Sequence, residues 1–118
     1  MPFLNLPTDI RIYYERRGKG PPLILIMGTG LNCSFWNSQI EAYQHFFECI
    51  SFDNRGTGKT TASRDRLTVR LLAQDTAALI EALGLGPAHI SGLSLGSCIA
   101  QELTLRQPEL VRTLQLHG

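Results

Sequence analysis

The chain has 118 residues, 43% of them hydrophobic and 18% charged, with a formal net charge of +1. That balance describes one ordinary globular domain or part of one, and excludes a disordered chain. It also gives no electrostatic drive toward nucleic acid or anionic membranes. The longest uninterrupted apolar run, Leu23 to Met27, is far too short to span a bilayer. No basic stretch followed by an apolar one opens the chain, so no secretory signal is read there. Three widely spaced cysteines, Cys33, Cys49 and Cys98, match neither metal-ligand nor disulfide spacing. A reducing, cytoplasmic setting is expected.

In chain order, Phe3 to Leu6 and Ile10 to Arg16 read as two short strands, and Gly18 to Pro22 as a turn cluster. Leu23 to Met27 reads as a central strand buried on both faces, ending at Gly28-Thr29-Gly30. A short helix over 34–43 and a strand over 47–53 follow. Asn54 to Arg66 is a polar loop. The pattern of Leu72, Thr76, Leu79, Ile80 and Leu83 predicts a helix over 67–83, stopped by Gly84 and Gly86. His89 to Leu93 then reads as a strand within the apolar run from Ala88, Ser97 to Gln107 as a helix, and Val111 to Leu116 as a last strand. Such alternation implies a mostly parallel sheet with helices on both faces.

Gly92-Leu93-Ser94-Leu95-Gly96 stands at a strand-to-helix turn. Glycines two before and two after the serine leave room for a sharp, strained turn that exposes the hydroxyl as a candidate nucleophile. The same turn puts the Leu95 N–H where an oxyanion would form, at a helix N-terminus whose dipole favours negative charge.

Three segments together resemble the α/β-hydrolase family. They are Leu25 to Gly30, similar to the loop after that family's third strand; Ser51 to Thr60, similar to its Asp-x-Arg-Gly-x-Gly-x-Ser segment; and the elbow, Gly92 to Gly96. Ala73-Gln74-Asp75 and the stretch from Ala100 to Val111 fit in register, and the flavour is that of the single-domain esterase and enol-lactonase branch. The resemblance implies a doubly wound sheet truncated after about the sixth strand, with residues 1–118 the N-terminal part of one domain and no lid. It implies hydrolysis of an ester, lactone or similar acyl bond of a small molecule. Ser94 would attack, the N–H groups of Thr29 and Leu95 would hold the oxyanion, and Gly28, Gly30 and His117 are possible pocket residues. No metal or organic cofactor and no membrane partner is implied, and the oligomeric state stays open. Met27 stands where the family most often has histidine.

The family's acid and histidine come late in the chain. Ser94, Glu109 and His117 satisfy the order serine, acid, histidine, but Glu109 falls at the opposite edge of a parallel sheet from Ser94. His117, near the end of the last strand, reads as pocket-lining or terminal. His45 and His89 read as structural, as do Asp53 and Arg55, and Cys98 as a small buried hydrophobe. Phe35 and Trp36 fit a pocket mouth or packing under the first helix equally well. With the base and acid absent, these 118 residues alone are expected to be marginally stable and essentially inactive. Two other readings remain: a non-catalytic ligand-binding module on a hydrolase scaffold, and a phosphate-binding loop at Gly56 to Thr60. The second lacks the first glycine of its motif, since Asp53 occupies that position.

Overall fold

The computed structural model describes residues 2–28, 30–61 and 66–118. Two antiparallel strands open it, β1 (Phe3–Leu6) and β2 (Ile10–Arg17), followed by β3 (Pro22–Ile26). A 3-10 turn (Cys33–Trp36) leads into α1 (Asn37–Tyr43), and β4 (Glu48–Phe52) precedes α2 (Val69–Leu83). Then come β5 (Ala88–Leu93), α3 (Leu95–Arg106), a 3-10 turn at Pro108–Leu110, and β6 (Val111–His117). The sheet order is β1-β2-β4-β3-β5-β6, with β4, β3, β5 and β6 parallel.

Side-chain alternation explains why Leu23 to Met27 is apolar throughout. Ile24 and Ile26 join Ile50, Phe52 and Ile90 beneath α2 and α3, which contribute Leu72, Leu79, Ile80, Ile99 and Leu103. Leu23, Leu25 and Met27 point to the other face and pack with Trp36, Ile40 and Cys49 under α1. A central parallel strand with both faces covered needs an apolar residue at every position.

Helix ends deviate from the periodicity for local reasons. Thr68 caps α2 by accepting the Leu71 N–H at 3.0 Å, so that helix starts at Val69 and not at Leu67. Gly84 closes it at φ 66, with Gly84 N–H on Glu81 O and Leu85 N–H on Ile80 O, a Schellman pairing. The expected helix over 34–43 divides, because the Asn32 side chain accepts the Ser34 N–H and winds the first turn tightly. α3 begins at Leu95, ahead of the expected Ser97, since the elbow enters the helix without a linker.

One buried ion pair fastens the loop after β4 to α2. Arg55 Nε and Nη2 donate to the two Asp75 carboxylate oxygens at 3.0 and 2.8 Å, and Nη2 also donates to Thr8 O at 2.9 Å. Both side chains are at most 2% exposed. A buried pair held in a bidentate fork tolerates loss of neither partner, because the survivor is a desolvated charge. Asp75→Asn in the intact protein is expected to lower unfolding free energy by about 3–5 kcal/mol. Arg55→Met combined with it should be milder than the sum of the single changes, as read from urea denaturation midpoints.

Candidate active site

The elbow is a place where three backbones touch. A Cβ on Gly92 would stand 2.3 Å from Gly96 O, and one on Gly96 would stand 2.1 Å from Ile26 O. No side chain fits in either gap, so β3, β5 and the first turn of α3 meet only through glycine. Gly28 comes close from the other side, its absent Cβ lying 3.1 Å from Ser94 Cβ and 3.6 Å from Ser94 Oγ.

Ser94 itself has φ 56 and ψ −119, a strained conformation for a residue with a side chain. Such strain is typically of order 1–3 kcal/mol and persists only where neighbours over-determine it. Here the Ser94 N–H donates to His117 O at 2.9 Å, and Ser94 O accepts from the Ser97 N–H and from Ser97 Oγ at 2.9 and 2.6 Å. A serine at a helix N-terminus ordinarily caps it with its hydroxyl. Ser94 does not, and its side chain stands exposed beyond the end of β5. Leu95 is the first residue of α3, so its N–H has no acceptor inside the helix.

The remaining candidates are placed as follows. Thr29 lies outside the described residues. Gly30 is exposed, at φ 70 with open space around it. His117 ends β6 opposite Leu93, and its imidazole Nε2 shares a hydrogen bond with Ser91 Oγ at 3.1 Å, on the α1 face. It lines a cavity of about 220 Å³ with Trp36, Gln39, Tyr43 and Leu93. Glu109 sits in the turn that enters β6, at the edge remote from Ser94. His89 Nδ1 bonds Thr113 Oγ1 at 2.6 Å, low on the same face as His117. Trp36 is buried under α1, whereas Phe35 is 57% exposed. Cys98 corrects an expectation: it is exposed, because Ile99, Ala100 and Leu103 form the inward face of α3 and Cys98 turns away from it.

The segment after β4 is a scaffold. Asp53, 2% exposed, accepts the Cys33 N–H at 2.7 Å and the Lys59 N–H at 2.9 Å, which ties the loop after β3 to the loop after β4. Gly58 is glycine because a Cβ there would lie 2.1 Å from Asp53 Oδ2. Asn54 Nδ2 donates to Met27 O at 3.1 Å, and Thr60 Oγ1 donates to Asp53 O at 2.7 Å. The Lys59 amide that a phosphate would need is thus turned onto a carboxylate, and its ammonium lies 4.7 Å from the Tyr13 ring centroid. That arrangement disfavours the phosphate-loop reading on geometric grounds.

Sequence reasoning missed Ser91 as a partner of His117. Alternation puts His89, Ser91 and Leu93 on one face of β5, but which residues of β6 meet them depends on register, which no local pattern reveals.

Burial, with the Asp53 carboxylate close by, pushes the Cys33 thiol up from 9.0 to about 12. Between those values the folded chain keeps a proton that the unfolded chain has released, so stability falls as pH rises above about 9. Urea midpoints measured at pH 8 and pH 10 should drop, and Cys33→Ser should flatten the drop. The glycines give a second expectation. Gly84→Ala meets open space and suffers only the left-handed backbone, a loss of about 1 kcal/mol. Gly96→Ala drives a methyl into Ile26 O and should lower the melting temperature well beyond that.

Comparison with known proteins agrees with this architecture. The family model described as alpha/beta hydrolase fold matches residues 21–118. The provisionally named carbamate hydrolase RutD of Azorhizobium caulinodans is 36% identical over 108 residues, 92% of this chain and 41% of its own. The provisionally named non-heme bromoperoxidase BpoC of Mycobacterium tuberculosis is 40% identical over 109 residues, 91% of this chain and 41% of its own. A thermophilic esterase from Thermogutta terrifontis superposes with a TM-score of 0.90 at 29% identity, over 97% of this chain and 43% of the esterase. The chain therefore spans about 41% of the length of the curated relatives it matches. Among the described residues, no helix is long and apolar enough to cross a membrane. The six-stranded, mostly parallel sheet and the family match over residues 21–118 make this chain a member of the α/β-hydrolase fold family.

Proposed function

We propose that the intact protein hydrolyses a carboxylic ester, lactone or similar acyl bond of a small molecule through an acyl-enzyme on Ser94. One observation carries this reading: Ser94 heads α3 at φ 56 with its hydroxyl uncapped and exposed, directly beside Gly28. Ser94 Oγ attacks the acyl carbon and the carbonyl oxygen becomes an oxyanion. The Leu95 N–H, reinforced by the helix dipole, donates to that oxyanion, and the Thr29 N–H is assigned the second donor position. Gly28 and Gly30 line the approach, since neither has a side chain to obstruct an acyl group.

A base must take the Ser94 proton and later deliver one to the leaving group. Among the described residues no acid–histidine pair is aimed at Ser94: the His117 imidazole is engaged with Ser91, and Glu109 lies at the far edge. We assign both functions to the part of the protein corresponding to what the relatives carry outside the matched 41% of their length. Residues 1–118 are on this reading the N-terminal part of a single hydrolase domain. The free thiols of Cys33, Cys49 and Cys98 fit a reducing, cytoplasmic compartment.

Ser94→Ala in the intact protein is expected to cut p-nitrophenyl ester turnover by roughly 10³-fold or more. A fluorophosphonate should add to Ser94 in the parent and leave the variant unmodified, as read by peptide mass spectrometry. Undiminished turnover in the variant would overturn the proposal.

A further inference from the structure

We propose that His117 is a positioning residue for the elbow, gripping the end of β5 at Ser91 and at the amide of the nucleophile itself; the inference rests on the assignment of Ser94 above. Two bonds make the grip. The His117 carbonyl accepts the Ser94 N–H at 2.9 Å, and its imidazole Nε2 shares a hydrogen bond with Ser91 Oγ at 3.1 Å. Ser91 is 3% exposed, so its hydroxyl finds in the imidazole a partner that water does not supply. Ser94 at φ 56 needs neighbours that hold it in place. The carbonyl that does so belongs to the last residue of β6, and strand ends open more readily than strand centres. Anchoring the imidazole on Ser91 is what keeps that carbonyl under the Ser94 amide.

The register of β6 shows how this residue came to hold the position. Ala88 pairs with Val111, but His89 pairs with Thr113, so β6 carries one extra residue, Arg112. Continued without that bulge, the first pairing would set Leu116 opposite Leu93. With it, His117 takes the place, and Thr113, Gln115 and His117 turn to the α1 face. The bulge thereby exchanges an apolar side chain for one that can bond Ser91.

The experiment measures Ser94 amide hydrogen exchange by NMR, together with kcat and KM for p-nitrophenyl acetate, in the intact protein. His117→Ala and Ser91→Ala should each speed Ser94 exchange about tenfold and lower kcat about tenfold, with KM within about twofold. The double variant should be no worse than either, because both remove one shared bond. His117→Gln, whose amide reaches the place of Nε2, should restore both readouts; His117→Asn, which is shorter, should not. His89→Ala, which breaks the equivalent bond at the other end of β5, should leave both unchanged.

Unaltered Ser94 exchange in His117→Ala overturns the inference. So does an equal effect of His89→Ala, which would mean general loosening of the sheet. Turnover that falls by about 10³-fold or more while exchange stays unchanged would make His117 the base, and overturns it too. Should His117→Ala not fold, Ser91→Ala, which removes a single hydroxyl, decides alone. Persistence of turnover in Ser94→Ala would defeat the hydrolase assignment while the exchange readout still judges the grip.

Discussion

Everything at the candidate site depends on a steric fact: the backbone of Gly96 crosses that of Ile26 at a distance that leaves no room for a β-carbon. Because α3 can come that close to β3, the turn between β5 and α3 can be as short as a single residue. Because the turn is that short, its one residue is forced to φ 56 and its hydroxyl is thrown clear of the helix it would otherwise cap. Close packing therefore fixes where the hydroxyl points, which a longer loop could not do.

Around this apolar junction runs a polar frame. Asp53 gathers amides from both neighbouring loops, Asn54 reaches the carbonyl at the end of β3, and Arg55 joins Asp75 on α2. Each of these groups is buried, and each is bonded to a partner from a distant part of the chain. The frame accounts for a sequence that looks on paper like part of a nucleotide-binding loop. Its glycine serves a carboxylate inside the protein, and its lysine rests on an aromatic ring.

How much of this is readable from residue order varies with the range of the interaction responsible. Strand β3, the extent of β1 and the end of α2 at Gly84 are legible because alternation, helical spacing and a left-handed glycine are local signals. The elbow is legible because its glycines sit at fixed offsets from the serine. The first turn of α3 is misplaced by two residues, since an entry without a linker depends on contact with β3. Cys98 reads as buried because helical spacing names a face only after the packing partner is known. The Ser91–His117 bond is invisible for a stronger reason: it hangs on a bulge at Arg112 that shifts a whole strand.

The sheet order has a consequence for how the molecule comes into being. β3, in the middle, is flanked by β4 and β5, both of which follow it in the chain. During synthesis its edge toward β5, and the face carrying Ile24 and Ile26, stay incompletely covered until β5 and α3 have left the ribosome. Contacts this distant in sequence carry loop-closure entropy before they return any packing energy, and they slow folding. The serine's strained geometry is thus assembled late, from segments that meet only after most of these residues exist. A nascent chain interrupted before β5 would present an apolar strand with an unpaired edge, the kind of surface that chaperones hold and aggregates recruit.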